Sequence, residues 1–286
     1  MLSDRIKTIR SALLKHLEIA DLGHSSGSLK SWFDSDFGAY IGACEERIIR
    51  AEYAQLPGYR LLSLGVTGDL QARNHFAQLH RFSLHPSDAD GQHAALANYH
   101  QLPIPSGVVD VALMQHGLEF SASPKAALAE VCRVIMPGGH LVLCVFNPFG
   151  IHGGIKWLMQ LLTNRPQYRF HNLRANRLAD WLSLLSFQVL DVHYGAFSPI
   201  ANSAPKQSEL APWQSLCERA NLPFGNVYIM HAVKRETQGI GRRSTRWPKP
   251  AHGYGHRRVQ SEQQRGSAPN RQHKFCLLYT SDAADE

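Results

Sequence analysis

The sequence has no apolar run of 18 residues, the length that a membrane-spanning helix requires. The missing run predicts a protein without a membrane span. The amino-terminal stretch also has neither the apolar core nor the small-residue cleavage site of a signal peptide. We therefore expect a cytoplasmic protein.

Cysteine pairs and metal-binding histidine motifs are absent as well. The five cysteines are scattered along the chain without a Cys-x-x-Cys pair, so we expect reduced structural thiols rather than a disulfide framework or a zinc site. The 16 histidines include neither a His-x-His nor a His-Glu-x-x-His grouping. These absences predict that the protein holds no metal ion.

The formal net charge of +7 is concentrated at one end of the chain. Residues 237–286 contain nine Lys and Arg against four Asp and Glu, which leaves residues 1–236 with a net charge of +2. A segment this polar, basic and rich in glycine and proline is typical of a solvated tail. We expect no nucleic-acid partner for the folded part, and weak RNA binding through the tail is the alternative.

Composition divides the chain into four segments. Residues 1–58 are predicted to form a helical leader or lid, in which "GHSSGSLKSWFDSDFG" (23–38) is interpreted as a loop between two helices. Residues 59–236 form the main domain, and residues 237–275 are the basic tail, which we expect to be disordered. The last eleven residues, 276–286, resemble a translated sequencing adapter and are expected not to belong to the natural protein.

Strands and helices alternate through residues 59–236. The predicted strands are "YRLLSLG", "HRFSLHP", "VVDVALMQHG", "HLVLCVFNP", "FQVLDVHYGAF" and "NVYIMHAVKR". The predicted helices are "DLQARNHFAQ", "SPKAALAEVCRVI", "RANRLADWLSLLS" and a short one in "SELAPWQSLCERAN". This alternation predicts an α/β fold with a mostly parallel sheet between two layers of helices, and the last strand can pair antiparallel.

Polar residues follow the ends of the predicted strands, where open parallel sheets bind ligands. Two glycines, Gly65 and Gly68, flank the turn after the first strand, and His85 follows the second. Gln115, His116 and Glu119 lie at the end of the predicted strand "VVDVALMQHG" or directly after it. Each alone is more often an ordinary loop residue than a ligand, but their recurrence indicates a binding site. A dehydrogenase is disfavoured because the loop lacks the Gly-x-Gly-x-x-Gly spacing.

The stretch "YHQLPIPSGVVDVALMQHGLEFSASPKAALAEVCRVIMPGGHLVLCVFNP" resembles the second half of a class I, Rossmann-like, S-adenosylmethionine-dependent methyltransferase of the bacterial type 11-like group. The residues that carry the resemblance are Leu102-Pro103, Val109-Asp110, His116 through Glu119, Glu130, Arg133-Val134 and Pro137-Gly138-Gly139. The resemblance implies a seven-stranded sheet with a reversed final strand. It also implies S-adenosylmethionine as the cofactor and a small molecule as the substrate.

The resemblance and the strand-end positions together predict a set of cofactor-binding residues. They are Ser63, Gly65, Thr67, Gly68, His85, Asn98, Tyr99 and Gln115. Ser63, His85 and Asn98 stand where the family has carboxylates. The second and third family glycines correspond either to Thr67 and Asp69 or, after a deletion, to Gly68 as the third. His116 is the candidate general base.

Two functional hypotheses follow from these residues. The first is a methyltransferase acting on a small, apolar molecule. Under it, Trp32, Phe33, Phe37, Tyr40 and the stretch "NPFGIHGGIKWLMQLL" either roof the substrate or simply pack in the core. The second is a catalytically inactive methyltransferase fold that serves as a binding or regulatory module, because the three carboxylates are missing.

Overall fold

A seven-stranded sheet organises the protein in a computed structural model that describes residues 22–67, 71–88, 93–163, 165–198 and 212–235, together with Ile19. The helices are α1 (Leu22–Phe33), α2 (Asp36–Glu52), α3 (Pro124–Val134), α4 (Ile151–Leu162), α5 (Ala175–Leu184) and α6 (Pro212–Arg219). The strands are β1 (Arg60–Gly65), β2 (His80–His85), β3 (Ala95–Leu96), β4 (Val109–Gln115), β5 (Ile135–Phe146), β6 (Phe187–Gly195) and β7 (Val227–Lys234).

The strand order is β3-β2-β1-β4-β5-β7-β6, and β7 runs antiparallel to both of its neighbours. This arrangement confirms the predicted α/β fold with a reversed final strand. Alternate residues of a strand point to opposite faces, and the sheet accordingly contributes to two buried clusters. Leu61 and Val111 belong to one cluster, whereas Leu62 and Ala112 belong to the other.

The order of the strands reverses between β1 and β4, and this reversal positions the candidate site. From β1 the chain continues outward to β2 and β3 and then returns to pair β4 with the other edge of β1. Gly65 is in register with Gln115 at the carboxyl ends of the two strands. Helices and loops diverge at such a point and leave a crevice.

The segment 23–38, predicted as a loop, is instead mostly helical, since α1 covers Leu22–Phe33. The prediction was wrong because glycine and serine have low helix propensity in isolation, and tertiary packing overrides that preference. Leu22 and Leu29 are buried against the core. The Ser31 hydroxyl donates to the carbonyl of Gly27 at 3.1 Å, so it is satisfied within the helix.

Two further details differ from the prediction. The helix predicted in "DLQARNHFAQ" is only a 3₁₀ turn at Gln71–His75, and residues 68–70 lie outside the described residues. The Pro137-Gly138-Gly139 segment does not separate α3 from the next strand, because β5 already begins at Ile135.

The helix α2 is fixed to the rest of the domain at both of its ends and in its middle. Ser35 caps its first turn by accepting from the Gly38 amide at 3.4 Å. Arg47 forms a bidentate ion pair with Glu218 of α6, at 2.6 and 2.5 Å. Tyr53 donates to Asp191 of β6. Among the described residues, none of the helices is both long and apolar enough to cross a bilayer.

Candidate functional site

A cavity of about 340 Å³ lies at the carboxyl ends of β1 and β4. Val66 and Thr67 form one wall, Gln115 and His116 form another, and one side of α1 and α2 covers them. Its volume is near the lower limit of typical small-molecule sites. Helices α1 and α2 therefore form part of the pocket itself.

His116 is held between two buried carboxylates at this strand end. Its Nδ1 lies 2.6 Å from Oε1 of Glu119, and its Nε2 lies 2.8 Å from Oε1 of Glu45. The second approach lacks hydrogen-bond alignment, so it is an ion contact rather than a directed bond. All three side chains are almost completely buried, and Phe146 stacks on the imidazole with ring centroids 4.1 Å apart.

This environment keeps His116 protonated. Burial by itself lowers the pKa of the imidazole, but the charges of Glu45 and Glu119 outweigh it and raise the pKa to about 10. An imidazolium has no lone pair with which to accept a proton. The structure therefore argues against His116 as a general base at neutral pH.

His116 brings two buried carboxyl groups, those of Glu45 and Glu119, together at this strand end. Gln115 Nε2 donates to the other oxygen of Glu45 at 3.0 Å, and the Phe146 amide donates to Glu119 Oε1 at 3.0 Å. Within the described part of the chain, Oε1 of Gln115 and Oγ of Ser63 are buried without a hydrogen-bond partner. Gln115 lines the cavity, so a ligand with hydrogen-bond donors would satisfy its Oε1 atom, whereas Ser63 does not line the cavity.

The glycine-loop residues lie beside this cavity. Thr67 lines it, and Gly65 ends β1 just below it. The Gly65 amide donates to the Tyr99 hydroxyl at 3.0 Å, and that hydroxyl lies 2.8 Å from the Gly65 carbonyl. Tyr99 is thus a buried support beneath the loop. Gly68 lies outside the described residues.

His85 and Asn98 do not line the cavity. The His85 ring is buried, with Nε2 at 3.0 Å from the Val66 carbonyl and Nδ1 at 2.7 Å from the Ser87 carbonyl. It therefore joins the end of β2 to the loop after β1. Asn98 is exposed, and its Oδ1 accepts from the His100 amide at 2.9 Å.

Sequence reasoning missed Glu45 as a site residue, although its position carries a signal. Ile41, Cys44, Ile48 and Ile49 form the buried face of α2, and Glu45 falls on the same face at helical spacing. A carboxylate on a buried helix face requires a partner from elsewhere in the fold. Its partner Gln115 could not be identified from the sequence, because it lies 70 residues away along the chain.

An aromatic wall adjoins the His116 cluster on the side of α4. His152 packs 5.0 Å from Phe146 and is parallel to Phe170, with ring centroids 5.8 Å apart. Burial, followed by the charges of His116 and Lys156, lowers the pKa of His152 to about 4. His152 is therefore neutral, and its buried Nε2 has no hydrogen-bond partner among the described residues.

Comparisons with known proteins show that the chain is similar to methyltransferases. The family described as "Methyltransferase domain" matches residues 71–143. The "uncharacterized protein YafS" of Escherichia coli K12 is 29% identical over 161 residues, which are 56% of this chain and 65% of YafS. A demethylmenaquinone methyltransferase of Chlamydia trachomatis serovar L2 is 37% identical over 75 residues, 26% of this chain and 28% of that protein. The chain thus matches less than two thirds of the length of these relatives.

A solved structure shares the fold. A methyltransferase from Thermotoga maritima, described as S-adenosylmethionine-dependent and as a possible histamine N-methyltransferase, superposes with a TM-score of 0.57. It is 17% identical, and the superposition covers 75% of this chain and all of that one.

Proposed function

We propose that this chain, which has the class I methyltransferase fold, transfers the methyl group of S-adenosylmethionine to a small molecule. The observation that carries the proposal is the cavity at the ends of β1 and β4, which is lined by the buried Glu45 and by Gln115, whose Oε1 atom has no hydrogen-bond partner among the described residues. The matched methyltransferase domain supports it.

The residues present fit S-adenosylmethionine at its amino-acid end. The cofactor has a cationic sulfonium and a cationic ammonium group. The Glu45 carboxylate lines the cavity, and the Gln115 Oε1 atom is buried without a partner among the described residues. A buried carboxylate and an unpaired amide oxygen are acceptors suited to such cations. Val66 and Thr67 line the opposite wall.

His85 gives weaker support at the ribose end. A histidine with both ring nitrogens committed to backbone groups cannot offer the bidentate acceptance of a carboxylate. This observation favours the second hypothesis, a catalytically inactive fold that binds a ligand. We therefore expect weaker cofactor binding than an acid at that position would provide.

Catalysis by this protein would mainly require that the acceptor and the cofactor are held in the correct relative position. When bound, the cofactor supplies an electrophilic methyl group for in-line attack by the acceptor. The chain would orient the acceptor, exclude water with α1 and α2, and hold negative charge near the methyl donor. His116 would fix Glu45 and Glu119 in place as an imidazolium. A nucleophile without a proton to lose needs no general base.

Calorimetry with S-adenosylmethionine and S-adenosylhomocysteine tests the proposal. The protein should bind both, and Glu45→Gln should weaken S-adenosylmethionine binding by about 10- to 100-fold, because a charged hydrogen bond is lost. Glu52→Gln, on the exposed end of the same helix, is the matched control and should bind like the wild type.

Turnover separates the two hypotheses. Incubation with isotope-labelled S-adenosylmethionine and a small-molecule extract should transfer the label. Binding without transfer would favour the inactive fold, and no binding at millimolar ligand would reject both the cofactor and the proposed reaction.

A further inference from the structure

A second polar cavity lies on the far side of Phe170 from the His116 cluster. It has a volume of about 490 Å³, and its polar lining consists of Lys156, Gln160, His171 and Asn172. The proposed methyl transfer does not use these side chains.

Lys156 is a buried cation whose contacts within the described residues are all neutral. The residue is 5% exposed, and its ammonium donates to the carbonyl of Phe170 and, at 2.7 Å, to Oδ1 of Asn172. It also lies 3.8 Å from the centre of the Phe170 ring. Among the described residues, no carboxylate lies within ion-pair distance of its nitrogen. Burying an ammonium without a counter-charge is costly.

This cost of burial makes Lys156 easier to deprotonate. Loss of solvation outweighs the attraction of Glu119 and lowers the pKa of Lys156 to about 8. The group still carries its charge for most of the time at neutral pH. An anion in the cavity would stabilise the charged form of Lys156 and raise its pKa.

Other donors converge on the same space. Asn172 uses its oxygen to bind Lys156, which leaves its NH₂ group as a donor. Gln160 adds an amide from the next turn of α4. Burial lowers the pKa of His171, and its ring donates to the Ser121 backbone, so its buried Nε2 is an acceptor and not one of these donors. A cation with two amide donors suits a carboxylate or a phosphate.

The cavity is linked to the methyl-transfer site by aromatic contacts. Phe170 packs 5.3 Å from Phe146, and Phe146 stacks on His116. A molecule with an acidic head at Lys156 would have an apolar body against Phe170.

We propose that the Lys156 cavity binds the anionic group, a carboxylate or a phosphate, of the methyl acceptor. This inference rests on the proposed methyl transfer for the role of the ligand, but the anion site itself does not depend on it. It restricts the substrate class to small acids with an apolar body.

Binding measurements without any cofactor test the site directly. Nuclear magnetic resonance titrations would use benzoate, phenyl phosphate and neutral benzyl alcohol, with the side-chain amides of Gln160 and Asn172 as reporters. Both anions should bind more tightly than the alcohol, and the tighter of the two identifies the carboxylate or the phosphate as the preferred group. Lys156→Met should weaken anion binding by about 10- to 100-fold.

The matched control is Lys125→Met. Lys125 is exposed on α3 and lies over the ring of Trp181, so its loss should leave anion binding unchanged. Equal binding of benzoate and benzyl alcohol, or equal losses in the two variants, would overturn the proposal.

A second measurement uses the wild-type protein, in case Lys156→Met fails to fold. Acetic anhydride at pH 8 should acetylate Lys156, and saturating phenyl phosphate should slow that labelling by about tenfold, whereas benzyl alcohol should not. Mass spectrometry of peptides gives the rate at each lysine. Absence of selective protection would contradict the anion site.

The outcomes also separate this inference from the proposed function. Cofactor binding and methyl transfer without anion binding would reject only the Lys156 site. Anion binding without cofactor binding would reject methyl transfer and retain the cavity as an anion site.

Discussion

His116 illustrates how the surroundings of one residue reverse the chemistry expected of it. A histidine at the end of the fourth strand is a natural candidate for a base. With Glu45 and Glu119 on its two nitrogens, it becomes a permanent counter-charge inside the protein. Its role is to hold Glu45, which lines the cavity, together with Glu119.

The protonated state of His116 predicts a pH-dependent stability. The folded pKa is about 10, above the ordinary value of 6.5, so the stabilisation is complete below pH 6.5 and is lost as the pH rises through 10. The free energy of unfolding of the wild type relative to His116→Gln should therefore fall as the pH rises through this window. Urea denaturation at several pH values measures it, and a constant difference would contradict the protonated state.

Tyr99 gives a second prediction for a single residue. Its hydroxyl contacts the Gly65 amide and carbonyl and the Leu84 carbonyl. Tyr99→Phe leaves the buried Gly65 amide unpaired and should cost about 1–3 kcal/mol in the free energy of unfolding.

Tyr59→Phe is the control for this change, because Tyr59 is 56% exposed. It should alter stability by less than about 0.5 kcal/mol. Similar effects in the two variants, measured by urea denaturation, would show that the hydroxyl of Tyr99 does not support the loop.

At the scale of elements, the close approach of α1 and α2 shapes the roof of the cavity. The chain turns between them at Asp34-Ser35, and Gly38 lies in the first turn of α2. A Cβ atom at Gly38 would meet the backbone of Phe33 and Trp32 at 2.4 Å. Only glycine allows the helices to meet so closely.

Gly38→Ala should therefore destabilise the protein by about 1–3 kcal/mol, because backbone atoms cannot move aside cheaply. Gly27→Ala in α1 is the matched control. Nothing lies within 4 Å of its Cβ position, and it should stabilise the helix by about 0.5–1 kcal/mol. Thermal unfolding measures both variants, and changes of the same sign would refute the close contact.

At the scale of the whole molecule, most of the net positive charge lies in residues 237–286, whereas residues 1–236 are nearly neutral. Residues 237–286 lie outside the described residues, and the prediction about them rests on composition alone. A polar, basic segment with few apolar residues has little surface to bury.

Deletion of residues 237–286 should leave the melting temperature and the binding of S-adenosylmethionine unchanged. Any binding of RNA should be sensitive to salt and should disappear with the deletion. Calorimetry and an RNA-binding titration at two salt concentrations measure these properties. RNA binding that survives the deletion would assign it to residues 1–236, which have a net charge of only +2.

The sequence by itself determined the α/β alternation and the place of the loop at Gly65. These features follow from hydrophobic periodicity and from glycine and proline signals, which act over a few neighbouring residues. The reversed last strand was implied by the family resemblance. Similar reasoning predicted the end of β4 as a site, because parallel strands expose their carboxyl ends together. The alternatives for Thr67 and Gly68 stay open, since the loop is described only as far as Thr67.

Only the tertiary structure decided what the site contains. The serine-rich α1 folds as a helix because the core covers it, which local propensity does not encode. Glu45 reaches His116 from a helix that precedes the whole sheet, and this contact sets the protonation of the imidazole. Charge, burial and ionisation depend on residues distant in sequence but adjacent in space. For that reason the buried Lys156 and the protonated His116 could be recognised only in the folded chain.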